Sequence, residues 1–142
     1  MTTADIALLR SQLVAHEGIR RRVYKCPAGY WTIGVGRNVQ DRDLSMATNT
    51  QMLDEDIAEC LGDLRGSYSW FSSLDSVRQR ALADLRFNLG PRRFRGFKKM
   101  LNACASGDWE TAAAQLIDSK WATQVQPTRV NALHRQLRLG RD

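Results

Sequence analysis

The chain has 142 residues, of which 21 are Lys or Arg and 15 are Asp or Glu, and its formal net charge is +6. This length suits one domain and excludes two independent domains of ordinary size. The positive charge favours acidic partners, such as nucleic acid, anionic lipid or bacterial wall polymers, without choosing among them.

The first predicted element is a helix. Apolar residues recur at helical spacing between Thr3, a start signal, and Gly18, a stop signal. The pattern predicts an amphipathic helix over residues 4–17, with Glu17 at its C-terminal end. The residues that we expect to face inward are Ile6, Leu9, Leu13 and Val14.

A β region follows between Arg21 and Val39. Strand-forming residues are mixed there with turn residues such as Pro27 and Gly29. We therefore expect a hairpin or small sheet, and no other stretch of the sequence predicts β structure. The strand formers are Val23, Tyr24, Tyr30, Trp31, Thr32, Ile33 and Val35.

The rest of the chain predicts helices. A helix of about five turns opens at Ser45, with an apolar stripe formed by Leu53, Ile57, Cys60, Leu61 and Leu64. Later helices are predicted from the cap Asp75 to Gly90, over 96–105, over 108–119, and from Pro127 onward. The sequence thus predicts an α+β fold, with one early hairpin or small sheet and then a mostly helical part.

Cysteine and histidine usage argues against metal and disulfide chemistry. Cys26, Cys60 and Cys104 are an odd number at wide spacing, which predicts neither a disulfide framework nor a metal motif. His16 and His134 are too few and too far apart for a metal site, so we expect no metal and no cofactor. The N-terminal residues lack the apolar run of a secretory signal, and no stretch approaches the length of a membrane span.

The stretch with the clearest chemistry runs from Glu17 to Asn38. Breaking a glycosidic bond requires a carboxylic acid that is still protonated near neutral pH, and a group that positions water on the opposite face of the sugar. The helix dipole and partial burial would both disfavour the ionised form of Glu17, which makes it a candidate proton donor. The turn after Cys26 would bring this residue and Thr32 to neighbouring strands.

These three residues are spaced as a Glu, eight residues, a Cys, five residues and a Thr. In this spacing the stretch resembles the active-site segment of the T4-type phage lysozymes, glycoside hydrolase family 24, whose signature has Asp or Cys at the middle position. Looser similarity continues through Ser45 and the segments 73–78, 86–90, 108–113 and 119–121.

The resemblance implies a lysozyme-like fold within a single domain, 1–142. We expect a small sheet lobe over about 18–44, a connecting helix over about 46–65, and a helical lobe over about 66–142. The N-terminal helix would join the helical lobe, and a cleft would lie between the lobes.

The resemblance also implies a function, an endolysin that cleaves the β-1,4 bond between N-acetylmuramic acid and N-acetylglucosamine in bacterial peptidoglycan. Glu17, Cys26 and Thr32 would be catalytic. Arg129 aligns with the active-site arginine after one extra residue, and Asn88 with the lining of the cleft. Synthesis in the host cytoplasm, action in the periplasm or cell wall, and dependence on a holin for export would follow.

Two mechanisms stay open for Cys26. In the first, Cys26 and Thr32 hold a water molecule and the anomeric configuration inverts; in the second, Cys26 attacks the sugar and the configuration is retained. We favour the first, because the resemblance implies an inverting family and Thr32 has a clear use only if water attacks.

Several other residues have both a functional interpretation and a purely structural one. Tyr30 and Trp31 could contact sugars or pack in the core, and His16 could tune Glu17. A basic cluster could attract anionic wall polymers or lipopolysaccharide, or could be a solvated face. The cluster comprises Arg92, Arg93, Arg95, Lys98 and Lys99, with Arg135, Arg138 and Arg141.

Alternative functions are a lytic transglycosylase, which needs one acid/base Glu, and a non-enzymatic cationic protein that binds walls or membranes. We expect no nucleic acid partner. A monomer is expected, because the patterns leave no apolar stripe exposed.

Overall fold

A computed structural model describes all 142 residues and confirms an α+β architecture. The chain forms two compact units, Met1–Thr50 and Gln51–Asp142. No helix has both the length and the apolar character that crossing a membrane requires. The elements are α1 (Thr3–Glu17), β1 (Arg20–Lys25), β2 (Trp31–Gly34), β3 (Arg37–Asn38), α2 (Met46–Ser67), a 3-10 turn (Phe71–Ser73), α3 (Ser76–Arg95), α4 (Lys98–Ser106), α5 (Trp109–Ile117), α6 (Lys120–Gln124) and α7 (Pro127–Leu139).

Helix α1 begins one residue earlier than predicted, because Thr2 rather than Thr3 caps it. The Thr2 hydroxyl accepts a hydrogen bond from the Asp5 N–H (3.2 Å), and the Asp5 carboxylate accepts one from the Thr2 N–H (2.7 Å). This reciprocal pair satisfies two of the free N–H groups at the helix start. The helix ends at Gly18, as predicted, where φ is +70°.

The apolar face of α1 is exposed, and the prediction that it faces inward is wrong for three of its four residues. Ile6, Leu9 and Leu13 are exposed, and only Val14 is partly buried. The spacing predicted the helix correctly, but it could not show whether other parts of the chain cover the apolar stripe. The exposed stripe also removes the premise on which a monomer was expected.

The sheet has the order β1-β2-β3, and both pairings are antiparallel. Thr32 lies opposite Tyr24 on one side and opposite Asn38 on the other. Since side chains alternate along a strand, these three residues share one face of the sheet, and Cys26 follows two residues after Tyr24 with the same orientation. The opposite face carries Trp31.

The buried apolar side chains all lie between Cys60 and Leu137. In the unit Met1–Thr50 the one buried residue is Thr32. The core of Gln51–Asp142 is built from every helix of that unit. Its largest fully buried side chains are Phe71, Phe94, Leu64, Leu82, Leu85, Met100, Leu116, Leu137 and Cys104.

The long helix α2 covers less apolar surface than its stripe predicts. Cys60 and Leu64 are buried, whereas Leu53 and Ile57 are exposed. The period of a helix fixes which residues share a face, but it does not fix how far along the helix that face is covered. The stripe is therefore confirmed only in its C-terminal half.

Two later helix ends are set by local features. Helix α3 is capped by Asp75 and broken at Gly90, both as predicted: the backbone at Gly90 is non-helical, with φ +74°, and helical structure resumes beyond it and runs to Arg95. Helix α5 ends at Ile117, two residues before the predicted end, and the Ser119 hydroxyl, which accepts a hydrogen bond from the Ala122 N–H (3.3 Å), caps a separate helix, α6, that the sequence did not predict.

A buried arginine joins α2 to α3. The Arg86 side chain is 7% exposed, and its guanidinium donates to Asp63 (2.9 Å), to Glu59 (2.9 Å) and to the Cys60 sulfur (3.4 Å). Asp63 also pairs with Arg95. Because a buried guanidinium is stable only when its N–H groups have partners, these acceptors explain how Arg86 can lie in the core.

Candidate active site

Glu17 is the last residue of α1 and is exposed to solvent. Its carboxylate lies against the turn between β2 and β3, because a Cβ atom built on Gly36 would lie 2.9 Å from Glu17 Oε2. His16 precedes it in the last helical turn and is also exposed. The partial burial predicted for Glu17 is therefore wrong, and the predicted proton donor is an accessible carboxyl group beside the sheet of its own unit.

Cys26 and Thr32 lie together on one face of the sheet. Cys26 is half-buried, whereas Thr32 is 3% exposed and its hydroxyl donates to the Tyr30 carbonyl oxygen (3.0 Å). The turn between them is closed by the Cys26 N–H, which donates to the same carbonyl (3.0 Å). The Thr32 oxygen can still accept a hydrogen bond, since a hydroxyl has two lone pairs.

The environment of Cys26 makes its thiol more acidic than usual. Hydrogen bonding with the Tyr30 backbone is the main cause that lowers the pKa of the Cys26 thiol; burial opposes it, and the Thr32 hydroxyl lowers the pKa further. A thiolate is both a base and a nucleophile. The geometry is therefore compatible with a sulfur that accepts a proton from water and with one that attacks a sugar.

Alkylation should distinguish Cys26 from the other two cysteines. Burial raises the pKa of the Cys60 thiol, and it raises that of Cys104 to about 12. Since the thiolate is the form that reacts, we expect brief treatment of the native protein with iodoacetamide at pH 8 to modify Cys26 alone and to abolish activity. Peptide mass spectrometry measures the site. A Cys26→Ala variant is the control, and modification of Cys60 or Cys104 at the same rate would contradict the assignment.

Tyr30 and Trp31 are both exposed, so the interpretation that they pack in the core is wrong. The Lys25 ammonium lies 5.3 Å from the centre of the Trp31 ring. Trp31 pairs with Lys25 in the ladder and lies on the face opposite Thr32. Their role as sugar contacts stays a prediction, which the exposure of both rings permits.

In the second unit Arg129 is paired with an acid that the sequence analysis missed. Its Nη2 lies 2.6 Å from Asp84 Oδ1, and its Nε donates to the same oxygen (2.8 Å). Both residues line a groove of about 540 Å³, with Phe87 beside them. A signal was present in the sequence, because Asp84 is a single acid inside the apolar helical stretch ALADL.

Asn88 is exposed, and its side chain is held by a core tryptophan. Its Oδ1 accepts a hydrogen bond from the Trp121 indole N–H (2.6 Å), and Trp121 is buried. This bond fixes the amide so that its NH₂ group is the free donor. A donor of this kind could bind a sugar hydroxyl or an acetamido oxygen, and that role stays a prediction.

The basic cluster is divided by ion pairs. Arg95 is bound to Asp63 and Arg138 to Glu110. Other members, Arg93, Lys98 and Lys99, line a groove of about 760 Å³ together with Lys120, and the acid on that groove is Asp118. The groove concentrates positive charge, and its attraction for wall polymers stays a prediction.

The chain is similar in sequence to several known proteins. The chain is 24% identical to a "Probable T4-type lysozyme 2" of Dictyostelium discoideum, over 89% of this chain and 91% of that protein. It is 30% identical to an "Endolysin" of Acyrthosiphon pisum secondary endosymbiont phage 1, over 75% of this chain and 72% of that protein. It is also 26% identical to the "Pre-baseplate central spike protein Gp5" of Enterobacteria phage T4, over 78% of this chain but 24% of that protein.

The model of one protein family, Phage lysozyme, matches residues 14–138. The match includes all the predicted site residues, from His16 to Arg129. It covers most of the chain, which therefore belongs to the phage lysozyme family and is a lysozyme-type hydrolase of peptidoglycan.

Proposed function

We propose that this lysozyme cleaves the β-1,4 bond between N-acetylmuramic acid and N-acetylglucosamine with inversion, and that it serves to lyse a bacterial host. One observation carries the proposal. The unit Met1–Thr50 presents an accessible carboxyl group at the end of α1, against the sheet that carries the paired side chains of Cys26 and Thr32.

The first step is proton donation. The Glu17 carboxyl gives its proton to the bridging oxygen, the bond from that oxygen to the anomeric carbon breaks, and positive charge develops on the sugar. Glu17 is left as a carboxylate. Because the residue is exposed at the end of a helix, a glycan strand can reach it without movement of the backbone.

The second step is attack by water on the opposite face of the sugar. Cys26 and the Thr32 hydroxyl hold this water, since Cys26 is half-buried and the Thr32 oxygen, although almost fully buried, keeps a lone pair that can accept a hydrogen bond. As the oxygen of water bonds to the anomeric carbon, one of its protons passes to the Cys26 thiolate. Proton exchange with solvent then restores both groups for the next cycle.

The products test this mechanism. We expect the new reducing end to have the α configuration, because water enters from the face opposite the departing oxygen. NMR spectroscopy of a peptidoglycan digest, recorded before mutarotation, measures the configuration. A β product would instead identify Cys26 as a nucleophile, and anhydromuramyl ends in the mass spectrum would identify a lytic transglycosylase. A digest with heat-denatured protein is the control.

A further inference from the structure

Gly36 lies closer to the candidate proton donor than a residue with a side chain could. It occupies the turn between β2 and β3 with φ +65°. A Cβ atom on Gly36 would lie 2.9 Å from Glu17 Oε2, 3.1 Å from Cδ and 3.4 Å from Cγ. The missing side chain thus leaves the space that the carboxylate fills.

No other glycine of the unit Met1–Thr50 approaches a side chain this closely. Gly18, Gly29 and Gly34 also have positive φ angles, but a Cβ atom on any of them would meet no atom within 4 Å. Positive φ explains why glycine is favoured at all four positions. It does not explain the contact with Glu17, which is found at Gly36 alone among them.

We propose that Gly36 is a positioning residue for the proton donor, an inference that rests on the proposed role of Glu17. A Glu side chain has three rotatable bonds, and a backbone surface against one side of its carboxyl group excludes the rotamers that would occupy that space. The turn thereby sets where the acidic hydrogen points. A methyl group on Gly36 would displace the carboxyl group instead of the backbone, because the carboxyl is the mobile end of a flexible chain.

The test compares Gly36→Ala with Gly34→Ala. Gly34 has φ +66°, so alanine is disfavoured at both positions for the same reason, and the sheet of each variant should lose its amide hydrogen-exchange protection at a similar temperature. Only Gly36→Ala displaces Glu17. We expect its kcat to fall about 10- to 100-fold, as misplacement of a reacting group by about 1 Å does, whereas binding to purified sacculi stays unchanged. Gly34→Ala should keep near-normal kcat.

The pH profile gives a second measurement, since displacement of the carboxyl group changes its surroundings. We expect one limb of the plot of kcat against pH to shift in Gly36→Ala, and both limbs to stay in place in Gly34→Ala. Equal kcat in the two variants would overturn the proposal. Loss of hydrogen-exchange protection in the sheet of Gly36→Ala at a much lower temperature than in Gly34→Ala would also overturn it, because the glycine would then serve the fold.

A Glu17→Gln variant in the same series separates this inference from the proposed function. If Glu17→Gln retains activity, the proposed proton donor is wrong. If Glu17→Gln is inactive and Gly36→Ala is as active as Gly34→Ala, only the positioning role is wrong.

Discussion

Replacement of Glu17 by Gln should reduce hydrolysis of peptidoglycan by at least about 100-fold, the lower end of what a positioned proton donor contributes. The amide has nearly the same shape as the carboxyl group, but it cannot supply an acidic proton to the departing oxygen. Because Glu17 is exposed and at a helix end, the fold should be unaffected. Clearing of a cell-wall suspension measures activity, and circular dichroism measures folding.

The matched control is Glu55→Gln, which changes an exposed carboxyl group on α2 that accepts a hydrogen bond from Gln51. It should clear cell walls at the normal rate. Normal clearing by Glu17→Gln would refute the assignment of the proton donor. Killing of bacteria that survives both Glu17→Gln and heat denaturation would reveal an additional cationic, non-enzymatic activity.

Removal of the Asp63 carboxylate should destabilise the protein by about 2–3 kcal/mol, because it leaves the Arg86 guanidinium buried with fewer acceptors. The Asp63 side chain is 19% exposed and pairs with both Arg86 and Arg95. Glu59 still holds Arg86, which keeps the loss below that of an isolated buried charge. Urea unfolding of Asp63→Ala, followed by circular dichroism, measures the loss.

Asp142→Ala is the control, since it breaks an exposed ion pair with Arg80 and should destabilise the protein much less than Asp63→Ala. An equal loss in the two variants would contradict the role of the buried network. Burial opposes ionisation of Asp63, but Arg86 and Arg95 outweigh it and lower the pKa of Asp63 below 3.8. Its contribution is therefore complete above about pH 5 and is lost as the pH falls through the lowered pKa, a loss that Asp63→Ala should not show.

The sequence predicted most helices and the sheet because their signals are local. Capping by Asp75, the stop at Gly18 and the run of strand formers before Val39 each act within a few residues, and the structure follows them. One short helix was missed. Helix α6 begins directly after Ser119, whose side chain caps it just beyond the predicted helix over 108–119.

Burial was less predictable, because it depends on partners far away in the chain. Ile6 and Leu53 are exposed although both follow helical apolar patterns. Arg86 is buried although arginine is usually a surface residue, because its acceptors lie 23 and 27 positions earlier in the chain. The spacing of apolar residues shows which residues share a face of a helix, but not whether other parts of the chain cover that face.

The sequence predicted which residues form the candidate site, but not how they are arranged in space. The spacing of Glu17, Cys26 and Thr32 predicted that the last two lie on neighbouring strands, and in the structure they lie on one face of the sheet, on either side of the turn that the Cys26 N–H closes. The near-complete burial of Thr32 and the approach of Gly36 to Glu17 could not be predicted, because both depend on how the turn closes.

The buried apolar side chains lie between Cys60 and Leu137, whereas the three proposed catalytic residues precede Thr50. Exposure of apolar surface produces the heat-capacity change of unfolding, so a calorimetric transition reports mainly on the later part of the chain. Thermal inactivation can therefore begin below that transition, when the segment around the sheet opens locally. Substitutions in the core would then change the temperature of the calorimetric transition, whereas substitutions near the sheet would change the temperature at which activity is lost.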